Sequence, residues 1–110
     1  MSELSRVFVT QEQAHLNYAQ AEEYGDVVFC SVDDIPTVQG SLRTGKCIEE
    51  IRKRMAEYNP GVDYLMPSGS PVNIAAVMIL AGRIGSTHNI LKWDNRSHTY
   101  SKVVLEVPLV

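Results

Sequence analysis

The chain has 110 residues, 45% hydrophobic and 21% charged, with a formal net charge of −3. That size and balance suit one folded domain and exclude disorder, collagen-like repeats and low complexity. No apolar run reaches the roughly 18 residues of a membrane span, and a mildly acidic chain has no long-range attraction for a nucleic-acid polymer.

The N-terminal stretch MSELSRVFVTQEQ lacks the basic and apolar regions of a secretion signal, so a cytoplasmic protein is expected. Cys30 and Cys47 are then expected as reduced thiols, not a disulfide. Arg6 to Thr10 reads as a first strand, dense in β-branched and aromatic residues. Thr10 and Gln13 match a capping box, and Ala14, Tyr18 and Ala21 share a helical face. A first helix is therefore predicted to run to about Tyr24, stopped by Gly25. Asp26 to Val32 is a second, buried strand, and Asp33 to Gly45 a loop broken by Pro36, Gly40 and Gly45.

A second helix is predicted from Lys46 to Tyr58, its buried stripe being Ile48, Ile51, Met55 and Tyr58. Glu49–Lys53 and Glu50–Arg54 are favourable pairs on its wet face. Val62 to Pro67 forms a third strand, and Ser68-Gly69-Ser70 turns the chain into a third helix. Ser70 is its N-cap and Pro71 occupies the first helical position. This helix is apolar nearly all round, which suits a core or a subunit contact. Two antiparallel strands, His88 to Asp94 and His98 to Val107, close the chain. The expected fold is a single α/β sandwich over residues 1–110: a mostly parallel sheet, an antiparallel C-terminal hairpin and about three helices.

Three places carry candidate chemistry. The turn Ser68-Gly69-Ser70 before a helix offers unpaired N–H groups, hydroxyls and close backbone approach, with Asn73 one turn further on. That combination favours a phosphate or other anion, although plain helix capping explains it equally. In the hairpin, Trp93 could stack on a base and Arg96 could clamp a phosphate, unless the tryptophan simply packs in the core. Arg43 and Lys46 lie in the predicted loop without acidic partners, where they could close over an anion. No histidine is visibly paired with Ser68 or Ser70 as a catalytic base, and no metal-ligand spacing occurs, so neither a catalytic residue, a metal nor a cofactor is expected.

The order of these motifs resembles a known family. Asp63-Tyr64-Leu65 leads into Ser68-Gly69-Ser70-Pro71, and Leu91-Lys92-Trp93-Asp94-Asn95-Arg96 runs on to Tyr100. Over the last two-thirds of the chain this pattern is similar to the small phage-encoded Thoeris anti-defence "sponge" proteins. The resemblance implies a non-enzymatic protein of the host cytoplasm that holds a cyclic ADP-ribose-type signal intact, with cyclic oligonucleotides as further ligands. It also implies a homo-oligomer, dimeric or larger, with Ser68, Gly69, Asn73, Trp93 and Arg96 near the ligand. Two other readings stay open: a module that inhibits a host enzyme by contact, and a small enzyme acting on a nucleotide or sugar phosphate.

Overall fold

A computed structural model describes residues 4–108. One sheet carries five strands: β1 (Arg6–Val9), β2 (Asp26–Phe29), β3 (Tyr64–Met66), β4 (Thr87–Asp94) and β5 (Thr99–Glu106). Their spatial order is β2-β1-β3-β4-β5. The first four strands are parallel, and β4 and β5 form the expected antiparallel hairpin. Two α-helices accompany the sheet, α1 (Leu42–Met55) and α2 (Pro71–Ile84).

Chain direction decides where the connections lie. The passages from β2 to β3 and from β3 to β4 cross the sheet the same way, whereas β1 to β2 crosses in reverse. Right-handed crossovers therefore place α1 and α2 together on one face and the β1–β2 connection on the other. The packing agrees. Ile51 and Met55 of α1 and Val77 and Ala81 of α2 share one core with Phe8 and Leu65. Val7, Val9, Met66 and Leu91 point the opposite way and lie under Tyr18 and Ala21. Central β1 is buried on both faces, which explains its unbroken apolar run.

The predicted first helix does not form. Residues 11–20 are irregular and lead into a single 3-10 turn, Ala21–Tyr24, so the described residues hold two α-helices and not about three. The capping box fails because Thr10 is used elsewhere: its hydroxyl donates to the Ser68 carbonyl (2.6 Å) and accepts from the Ser68 N–H (2.8 Å). Local bonds then compete with helix: the Gln13 N–H donates to the Tyr18 hydroxyl (2.7 Å), and the Ala19 N–H to Asn17 Oδ1 (2.8 Å). Of the proposed apolar face only Tyr18 and Ala21 are buried, too little to anchor a short helix.

Helix α1 begins earlier than its apolar stripe predicts. Ser41 is its N-cap, accepting from the Arg43 N–H (3.2 Å), so Arg43, Gly45 and Lys46 are helical and not part of a loop. Ile51, Met55 and, beyond the helix, Tyr58 are buried as expected, while Ile48 stays 38% exposed. Glu50 pairs with Arg54 as predicted, but Glu49 chooses Arg52 over Lys53. Ser70 caps α2 through the Val72 N–H, with Pro71 behind it, as the sequence indicates. Both cysteines are free, Cys30 in the core and Cys47 half-buried.

Candidate functional site

In an open α/β sheet the strand order reverses at β1, and ligands favour the crevice beyond the carboxyl ends of β1 and β3. Here that crevice is filled by the protein itself. Gln11, only 2% exposed, accepts the Ser70 N–H on Oε1 (2.7 Å). Its Nε2 donates to the Val32 carbonyl (3.0 Å) and to Asp34 Oδ1 (2.6 Å). Gly69 has φ +93°, and a Cβ there would overlap the Gln11 side chain. The glycine is required by its backbone angle and by the closeness of Gln11.

Asn73 is fully buried and equally committed. Its Nδ2 donates to Ser31 Oγ (2.9 Å) and the Asp33 carbonyl (3.0 Å), and its Oδ1 accepts from the Ile35 N–H (3.0 Å). It fastens the loop after β2 to α2, with both amide protons spent.

The open space lies beside this plug, on the face that lacks α-helices. A cleft of about 520 Å³ runs between the irregular 13–20 segment and the hairpin. Trp93 and Tyr100 form one wall and Met66 and Leu91 the floor, while Gln13, Asn17 and Gln20 supply amides from the opposite lip. Pro67, Ser68 and Gly69 close one end, and no charged side chain lines the cleft. The two aromatic rings meet edge-on, centroids 4.9 Å apart at 64°. Trp93 remains 39% exposed, with its Nε1 donating to Asn95 Oδ1 (2.9 Å), so it is a surface wall and not a core residue. Tyr100 is fixed from behind, its carbonyl accepting from the Tyr24 hydroxyl (3.2 Å). Burial, then the nearby Tyr18 phenol, raises the Tyr100 phenol above its usual range, so it stays neutral.

Of the residues predicted from sequence, Ser68, Gly69 and Trp93 meet at this cleft. Ser70 and Asn73 belong to the internal network instead. Arg96 sits at the hairpin turn, where its N–H donates to Asp94 Oδ1 (2.9 Å), and it does not line the cleft. Arg43 and Lys46 lie exposed on α1; Lys46 borders a separate hollow with Ser31, Asp33 and Glu50. The spacing arguments miss Gln13, Asn17, Gln20 and Tyr100. The signal for the amides was present as a run of Gln and Asn in residues 11–20, hidden by its fit to a helix.

No histidine, carboxylate, lysine or arginine among the described residues lines the cleft. The one buried histidine lies at the far end of the sheet. The Gly85 carbonyl can only accept, so His88 Nε2 donates to it (2.7 Å), and the Tyr58 hydroxyl lies within hydrogen-bond distance of Nδ1 (2.6 Å). Stacked on Tyr58, His88 is a packed structural residue. Among the described residues no three metal-ligating side chains converge, and no helix is long and apolar enough to cross a membrane.

No curated protein and no solved structure matches the chain. The model of the phage Pam3 gp32-like protein family matches residues 5–107, from just before β1 to just past β5. Sheet, plug and cleft all fall inside that match, and the expectation of a phage protein stands at this level: the chain belongs to the phage Pam3 gp32-like family.

Proposed function

We propose that this phage protein binds a small nucleotide-type signal of the cyclic ADP-ribose class in the hairpin cleft and withholds it without cleaving it. The carrying observation is the pairing of an aromatic wall, Trp93 and Tyr100, with an amide lip, Gln13, Asn17 and Gln20. A planar base stacks on the first and exchanges hydrogen bonds with the second. The volume lies in the range of small-ligand pockets. The lack of charged lining residues makes the ring, rather than the phosphates, the part that is gripped. Any phosphate lies toward the mouth, near the hairpin that carries Lys92 and Arg96. The likeness of the turn and hairpin motifs to anti-defence sponges supports the signal class, and a cleft without a base–nucleophile pair suits holding over turnover.

The test is calorimetric titration with adenosine, ADP-ribose and cyclic ADP-ribose, followed by denaturation and mass spectrometry of what is released. Binding that Trp93→Ala weakens, with ligand returned unaltered, is the expected result. Recovery of a product would make the protein an enzyme, and absence of binding to all three would remove the nucleotide reading.

A further inference from the structure

The sheet ends on β5, and among the described residues nothing pairs with its outer edge. The backbone groups of this eight-residue strand that do not face β4 form a template for another strand. The outward groups can be identified from the ladder. The Val107 N–H donates to the Ser86 carbonyl (2.8 Å), so odd-numbered residues of β5 bond to β4. Lys102, Val104 and Glu106 therefore point their N–H and C=O groups outward, while the Tyr100 carbonyl is already taken by the Tyr24 hydroxyl (3.2 Å). The strand is also apolar: Val103, Val104 and Leu105 are 41%, 59% and 47% exposed.

We propose that β5 pairs antiparallel with β5 of a second copy, joining two five-stranded sheets into one of ten strands. Charge selects the register. With the two-fold axis at Val104, Lys102 of each copy faces Glu106 of the other, twice by symmetry, and all four residues present outward backbone groups. A shift of two residues one way leaves Lys102 opposite Val104; a further two places Lys102 against its own copy. In the chosen register Val103 lies across from Leu105 of the second copy on the helix-covered face, extending the apolar wall of Ile90, Val103 and Leu105. Pro108, which has no N–H, ends the pairing. A perpendicular two-fold axis keeps both hairpin clefts on the same side of the joined sheet. The contact therefore differs from the helix-mediated one expected from sequence and leaves α2 uncovered.

Sedimentation equilibrium of the full chain tests this, with circular dichroism to check folding. The wild type is expected at twice its 12.3 kDa chain mass at micromolar concentration. Lys102→Glu and Glu106→Lys each oppose like charges at two places, and each is expected to weaken the dimer by about tenfold or more. The double exchange, Lys102→Glu with Glu106→Lys, restores the pairs and the dimer. A folded wild-type monomer at ~100 µM, weaker than the roughly micromolar dimers that specific contacts reach, overturns the proposal. So does a dimer indifferent to both single exchanges, or one that the double exchange fails to rescue.

Discussion

The two faces of the sheet use the same strands and differ in what covers them. On the helix-covered face, Phe8, Leu65, Ile51, Met55, Val77 and Ala81 are at most 2% exposed and form one cluster under α1 and α2. On the opposite face Val7, Val9, Met66 and Leu91 are buried as well, but under an irregular segment that stops short of the hairpin. The unfilled part is the cleft. One face supplies stability and the other presents side chains, the division expected where a rigid scaffold positions loops.

Substitutions that respect this division should separate folding from binding. The largest effect is expected from Phe8→Ala, which empties the centre of the helix-covered core beside Tyr58 (ring centroids 5.4 Å). Chemical denaturation should show a loss of about 3–5 kcal/mol. Next comes the plug between the faces. Gly69→Val forces a β-branched residue to φ +93° and drives it into Gln11, with an expected cost of about 2–4 kcal/mol. Combining it with Gln11→Ala should cost less than the two single losses added, because the overlap with the amide end of Gln11 is then gone, while the Gln11 Cβ (2.7 Å) and the backbone angle still oppose the new side chain. If Gly69→Val instead folded at full stability and lost only ligand, the space above the turn would belong to the ligand after all.

How much of this was legible beforehand follows the same division. The helix-covered face announced itself: α1 carries an apolar stripe, α2 is apolar nearly all round, Ser70-Pro71 marks a start, and two apolar strands flank a polar turn. The open face misled because its signal is local while its structure is not. Thr10-Gln13 has the form of a helix cap, yet Thr10 is claimed by Ser68, fifty-eight residues away. Gln11 carries no sequence signal and Asn73 is expected near a ligand, yet each is buried by partners that only the fold brings near. The Ser-Gly-Ser turn is legible as a helix start, but nothing in its spacing reveals that Gln11 occupies the Ser70 N–H.

A third, smaller effect distinguishes the faces by pH. Burial pushes the Cys30 thiol on the helix-covered face from its usual 9.0 to about 12. Tyr58 is likewise raised by burial, with the negative charge of Asp63 adding to it. The unfolded chain then releases protons near pH 9 that the folded chain keeps. Stability should hold constant below that point and decline as pH rises toward the folded values, by about 2 kcal/mol for Cys30 at about pH 10.5. Urea titrations across this range should show Cys30→Ala with a shallower decline, and neutral-pH alkylation should label Cys47 and spare Cys30.

Trp93→Ala should invert the pattern of Phe8→Ala. The ring is 39% exposed and touches chiefly Tyr100 and His98, so the melting temperature should move little, by the equivalent of about 1 kcal/mol. Loss of a stacking wall is worth about 1–3 kcal/mol of binding, an affinity lower by tenfold to a hundredfold in calorimetry. Large unfolding with unchanged affinity would return the tryptophan to a packing role and leave the open face without its binding wall.

Arg96→Ala carries the smallest expected effect and probes where the cleft ends. Alanine keeps the N–H that donates to Asp94 Oδ1, so the turn survives and stability should shift by less than about 0.5 kcal/mol. The side chain does not line the cleft, so a neutral nucleoside should bind as before. A phosphate-bearing ligand reaching the mouth is a different case. It should lose about two- to threefold in affinity, because a solvent-exposed charge pair contributes only some tenths of a kcal/mol, and the loss should fade at high salt. Calorimetry of adenosine and ADP-ribose at two salt concentrations separates the cases. Equal losses for both ligands would place Arg96 against the ring and extend the binding wall past Trp93 to the hairpin tip. No loss for either would confine recognition to the aromatic wall and the amides facing it.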